Sequence, residues 1–157
     1  ALTLSDRVAV MDHGRMMQLG TPEQLYEEPA NRFVADFVGE TTLLPVERLE
    51  SHAVRFAGTP FATRRAVPVE GPHHLAIRTE KLLLLGADDR PETNVAEGRV
   101  TGTVYQGESM RIFVDLADGT GVSLRRLCQG GDGPAMPERG ETVRLHLPPE
   151  NTVVVTD

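Results

Sequence analysis

GRVTGTVYQGESMRIFVDLADGT, residues 98–120, alternates apolar and polar positions on both sides of a glycine-bearing bend. Val100, Gly102 and Val104 alternate with Thr101, Thr103 and Tyr105, and Ile112, Val114 and Leu116 alternate with Arg111, Phe113 and Asp115. A period of two sends successive side chains to opposite faces of a strand, so both runs predict strands with one buried face. Asp118-Gly119 predicts a hairpin turn, after which Val122 and Leu124 continue as the return strand.

The same punctuation recurs on either side. Leu43–Leu49 predicts a strand, and Ala53–Phe56 and Phe61–Arg64 flank Gly58-Thr59-Pro60 as a hairpin. Leu75–Arg78 and Leu82–Leu85 are two more strands, separated by Thr79-Glu80-Lys81. Val143, Leu145 and Leu147 alternate, and Val153–Val155 is the last run. Asp88–Asn94, with Pro91, and Gly130–Pro134 predict loops. Regular short strands with such turns, together with 15 glycines and 11 prolines, predict a mainly β chain built as a small barrel or sandwich.

The first 39 residues follow a different pattern. Val8–Met11 and Arg15–Leu19 predict two strands joined at Asp12-His13-Gly14, with His13 a solvated turn residue. Thr21-Pro22-Glu23-Gln24 is a helix start in which Thr21 caps, Pro22 takes the first helical position and Gln24 completes a capping box. Pro29 stops this helix. A second helix is predicted over Asn31–Val38, with Phe33, Val34, Phe37 and Val38 on one face packed against the following domain and Gly39 as its C-terminal cap.

Composition narrows the function classes. The 157 residues suit one domain, or one domain plus a fragment. A net charge of −7 repels phosphate backbones, and aromatic residues make up only 4 %, which argues against a nucleic-acid groove with stacking platforms. Cys128 stands alone and is expected to be a partly buried free thiol in a reducing compartment. No apolar run approaches the ~20 residues of a membrane span. The sequence has no GxxxxGK[ST] phosphate loop, GxSxG elbow or HExxH pair, so no catalytic residue is assigned. His73 and His74 are adjacent, hence on opposite faces of a strand, and the other histidines lack ligand spacing; no metal site is predicted. An anion site needs clustered donors or basic groups. Arg78, Arg125 and Arg126 are the candidate ligand-binding residues, while Arg64-Arg65 reads as a solvated edge.

SDRVAVMDHGRMMQLGTPEQLYEEPANRFVADFVGE, residues 5–40, resembles the segment that follows the switch histidine in the ATP-binding subunits of maltose-, iron- and polyamine-type ABC importers. Ser5, Asp6, Arg7, Gln18, Gly20, Pro22, Tyr26, Pro29 and Phe33 stand at matching places without a gap. HLAIRTEKLLLL, GRVTGTVYQGESMRIFVDLADGT and GETVRLHLPPENTVVV are similar to the TOBE domain, an OB-like barrel that follows the ATPase in these importers. Thr79 stands where that family usually has proline. FVGETTLLP resembles the polyamine branch, with Thr42 in place of the usual asparagine.

The resemblance implies residues 1–39 as the end of an ABC ATPase domain and residues 40–157 as a TOBE/OB-like regulatory domain, with the chain cut within a longer protein. It implies no cofactor in this chain, and ATP and Mg in the full-length parent. The implied partners are a second copy through the C-terminal domain and membrane permease subunits through the ATPase body, with no nucleic acid. The implied location is the cytoplasm, at the inner face of the membrane. The alternative from a different class is a sensor of small ligands, either oxyanions or polyamines. Strand edges and apolar faces at Val8–Leu19, left without an ATPase body, are expected to pair two chains, with exchange of their N-terminal segments as one route.

Overall fold

Turn and cap chemistry sets the N-terminal unit of the computed structural model, which describes residues 6–128 and 136–157. The expected Gly130–Pro134 loop lies outside these residues. Strands β1 (Val8–Asp12) and β2 (Arg15–Gly20) pair antiparallel. His13 and Gly14 both take positive φ, 48° and 77°, which is the geometry of a tight hairpin turn matched to strand twist. Helix α1 (Pro22–Glu27) starts with a full capping box: Thr21 Oγ1 accepts from the Gln24 N–H at 3.2 Å, and Gln24 Oε1 accepts from the Thr21 N–H at 2.9 Å. Asn31 caps α2 (Arg32–Phe37), its Oδ1 accepting from the Val34 N–H at 3.0 Å.

Two details of α2 differ from the sequence reading. Val34 and Val38 are buried with Val10 and Leu25 in a small core, whereas Phe37 is 67 % exposed. Phe33, partly buried against that core, stacks on Phe37 with centroids 5.9 Å apart, as residues four apart can. The helix ends on Val38, whose N–H bonds to the Val34 carbonyl. Gly39 is not in the left-handed region expected of a C-terminal cap.

The rest of the chain builds two antiparallel five-stranded sheets around one core, an OB-like and nearly closed barrel. The strands are β3 (Thr41–Glu50), β4 (Ala53–Phe56), β5 (Thr59–Ala62), β6 (His73–Arg78), β7 (Leu83–Leu84), β8 (Val95–Gln106), β9 (Ser109–Leu116), β10 (Gly121–Leu127), β11 (Thr142–His146) and β12 (Val153–Val155). One sheet has the order β12-β6-β3-β4-β5 and the other β10-β9-β8-β11-β7. Phe61, Leu75, Ile77, Ile112, Leu124 and Leu145 from the two sheets meet in the fully buried centre. At roughly 25 cal/mol per Å2 of apolar surface removed from water, such side chains dominate the folding free energy. A register shift at Val100/Gly102 lets the long β8 serve both β9 and β11.

The β4–β5 hairpin turns one residue earlier than its composition suggests. Ala57 and Gly58 take the positive φ values, 52° and 78°, and Thr59 already lies in the strand. Pro60 sits in β5 without breaking the sheet because β5 is an edge strand. Cys128 is exposed rather than partly buried, since it lies just past the end of β10, the edge of its sheet.

One loop residue joins the two sheets. Asn94, 1 % exposed and at φ 63°, accepts from the Ala62 N–H at 2.7 Å through Oδ1. Its Nδ2 donates to the Ala62 carbonyl at 2.8 Å and to Thr152 Oγ1 at 2.9 Å. The Asn94 carbonyl accepts from the Leu147 N–H at 3.1 Å. Replacing Asn94 by alanine strands the Ala62 N–H and carbonyl that its side chain meets and puts a poor residue in the left-handed region. The expected loss is about 2–4 kcal/mol of unfolding free energy by urea denaturation. A loss under about 1 kcal/mol would mean that the seam is held elsewhere.

Candidate functional site: a cationic joint and an open seam

Helix α1 is short, so its last carbonyls have no partners within it and need outside donors. The barrel supplies them. Arg78, at the end of β6 and 6 % exposed, donates from Nη2 to the Tyr26 carbonyl at 3.1 Å. Its guanidinium lies 4.0 Å from the centre of the Tyr26 ring, and its Nη1 donates to Thr41 Oγ1. Thr41 Oγ1 in turn donates to the Ala35 carbonyl at 3.0 Å, so the contact extends into α2. Arg65 Nη2 donates to the Pro29 carbonyl at 2.6 Å. Arg64 meets Glu28 at 3.0 Å and Glu27 at 3.8 Å, and Lys81 meets Glu27 at 3.3 Å.

Four cations of the barrel therefore grip one end of one helix, the end that favours positive charge. Burial holds the Arg78 guanidinium below its ordinary pKa, with Glu27 acting against the shift. Arg65 is lowered in the same sense by burial, opposed by Glu28 and helped by Arg64. Gly39 explains itself here. A Cβ on it would stand 3.1 Å from Arg78 Nη1 and 3.3 Å from the Tyr26 ring, so a larger residue would require those side chains to give by a few tenths of an ångström. Arg64-Arg65 is thus part of the joint rather than a free edge. Its acidic partners lie 36 or so residues away, and nothing local in the sequence marks them.

The second feature is a cleft of about 610 Å3 between β7 and β10, the two edges of one sheet. Leu83 and Leu84 contribute apolar surface above the buried Leu82 and Leu124; Glu80, Asp89, Arg90, Arg125 and Arg126 contribute charge. Among the described residues the seam is pinned at one point, where the Arg125 N–H bonds to the Thr79 carbonyl at 2.9 Å. Arg126 Nη1 is buried with no hydrogen-bond partner among the described residues. Of the three arginines singled out from the sequence, Arg125 and Arg126 come together in this cleft. Arg78 does not join them; its guanidinium is committed to the joint. Among the described residues no group of three His, Cys, Asp or Glu side chains is placed to hold a metal ion. No helix among them is long and apolar enough to cross a membrane.

Residues 75–155 match the TOBE domain family. The chain is 38 % identical over 156 residues to the spermidine/putrescine import ATP-binding protein PotA of Pseudomonas fluorescens, covering 89 % of this chain and 41 % of that protein. It is 42 % identical over 132 residues to the protein of the same name from Rubrobacter xylanophilus, covering 76 % of this chain and 33 % of the relative. A third, from Ruegeria pomeroyi, is 32 % identical over 163 residues and covers all of this chain. The chain spans about two fifths of the length of these relatives. Among solved structures, the cytoplasmic molybdate-binding protein ModG superposes with a TM-score of 0.52 at 10 % identity, over 74 % of this chain and 93 % of ModG. That likeness concerns the fold alone. Sequence match and barrel agree: the chain belongs to the TOBE domain family.

Proposed function

We propose that this chain is the C-terminal accessory and regulatory region of the ATP-binding subunit of an ABC importer for polyamines. The similarity to such subunits along nearly the whole chain carries the reading. In it, residues 1–39 end the ATPase domain, and residues 40–157 form the regulatory barrel. ATP and Mg are held by the parent's ATPase body, the permease is the membrane partner, and the site of action is the cytoplasmic face. The cationic joint supports a coupling role. Four barrel side chains fix α1, so a displacement of the helical segment is passed to the barrel rather than absorbed by a slack linker.

In the complete transporter, Arg78→Ala is expected to lower polyamine uptake severalfold while leaving basal ATP hydrolysis within about twofold. Arg78→Lys, which keeps the charge but not the two-pronged geometry, should fall between. Unchanged uptake after Arg78→Ala, or after removal of residues 40–157, would overturn the reading.

The same proposal makes the chain one half of a homodimer. The expected interface is the C-terminal domain, where Val104, Tyr105 and Phe113 are exposed apolar side chains, and such surface favours association. Light scattering of the isolated chain is expected to give twice the monomer mass at tens of micromolar. A monomer throughout that range would remove homodimerisation from the proposal.

A sensor of small anions is a second reading, supported by Arg125 and Arg126 at the cleft and by a barrel shared with a molybdate-binding protein. The two arginines favour an anion over a polyamine there. Calorimetry with molybdate and with spermidine tests it: heat with molybdate that disappears in R126Q supports the sensor, and no heat at millimolar concentration ends it.

A further inference from the structure

We infer that the open seam between β7 and β10 is a docking groove for an extended peptide that adds a strand there and presents a carboxylate to Arg126. The inference goes beyond the accessory role and does not depend on it.

Backbone parity carries the first step. In a strand, the N–H and C=O of one residue point to one side and those of the next residue to the other. The Arg125 N–H points into the seam, toward Thr79, and the Cys128 N–H points to Glu108, beside β9. Ser123 and Leu127 therefore share the orientation of Arg125 and face the seam. On the opposite wall, the Leu85 N–H is bonded to the Arg144 carbonyl in β11, so Leu84, one residue earlier, turns its own groups toward the seam. No backbone partner is found among the described residues for Ser123, Leu127 or Leu84. Both walls thus offer unpaired strand edges, the arrangement that accepts an added strand.

Side chains define the chemistry of the occupant. Leu82 and Leu124 are buried in the core beneath the groove, and the exposed Leu83 and partly buried Leu84 give it apolar surface for the side chains of a strand. On the rim, Arg90 is already bonded to the Ala87 and Asp89 carbonyls, and Asp89 Oδ2 to the Gly86 N–H. Arg111, beside Arg125 in the sheet, is neutralised by Glu40. Arg125 and Arg126 have no such partner among the described residues, and Arg126 keeps a buried N–H unsatisfied. Glu80 and Asp89 are the acidic side chains on the rim, and among the described residues neither pairs with Arg125 or Arg126; Glu80 receives the Thr79 hydroxyl at 3.5 Å. Two arginines without an ion-pair partner among the described residues, in a chain of net charge −7, select an acidic side chain next to an aliphatic one. The cleft of about 610 Å3 falls within the range of ~300–1,000 Å3 that holds ligands.

The test is titration calorimetry of the whole chain with a capped hexapeptide of alternating leucine and glutamate. Saturable binding at micromolar to submillimolar concentration is expected. The same peptide with alternate backbone nitrogens methylated should bind at least tenfold more weakly, because its side chains are kept and its strand donors are lost. R126Q should weaken the glutamate peptide about tenfold and leave an alternating leucine–lysine peptide unchanged. S123P, which removes one donor facing the seam, should weaken the glutamate peptide; circular dichroism identical to the parent chain establishes that it folds, and the R126Q result stands without it. No binding up to millimolar peptide, equal binding of the methylated peptide, or inorganic phosphate binding as tightly as the peptide would each overturn the inference.

Discussion

Asn94 puts a carboxamide where β5 would otherwise leave a partly buried donor and acceptor without a strand beside them. Its side chain meets both polar groups of Ala62, as a neighbouring strand would, and reaches Thr152 at the end of the short 3-10 turn Pro149–Asn151. A barrel core of leucine, isoleucine, valine and phenylalanine tolerates no unpaired amide at its margin, since each costs about 1–3 kcal/mol. Asparagine is one of the few residue types that both accepts the left-handed backbone and offers a donor and an acceptor at once. The apolar core and this polar clip are therefore one solution: the core draws the sheets together, and the clip allows them to meet where their ladders do not.

The opposite seam is solved less completely. Thr79 and Arg125 share a single backbone bond, and among the described residues the adjoining strand edges stay open. The TOBE barrel in this chain thus has one sealed side and one side with unspent hydrogen-bonding capacity. The joint lies beyond the sealed core, where Arg78 leaves β6 and enters the helical unit. Thr79 separates the two places by one residue, so the β6–β7 turn connects the grip on α1 with the groove wall.

Local chemistry was legible in the sequence, and distant chemistry was not. The capping box at Thr21 and Gln24 and the Asp118-Gly119 turn depend on residues at most four positions apart, and the structure contains both; the Asn31 cap is equally local but was not read from the sequence. Strand alternation at Val100–Leu116 found the barrel for the same reason. Ala57 hid the exact hairpin turn, because a left-handed alanine is unfavourable and neighbouring contacts decide it. Arg78 could be named as a lone cation, but its partner Tyr26 lies 52 positions away. Asn94 looked like ordinary loop composition. Its role follows from what it faces, and no period or motif encodes that.

Helix α2 carries a further consequence. Val34 and Val38 belong to the core of the N-terminal unit, while Ala35, one residue on, is buried against Ala76, Val153 and Val155 of the barrel. Successive residues of a helix are set ~100° apart. The helix therefore works like a toothed shaft meshed with two wheels, and its phase is fixed by both. Adding or deleting one residue within Arg32–Phe37 would keep one set of teeth engaged and swing the other into water.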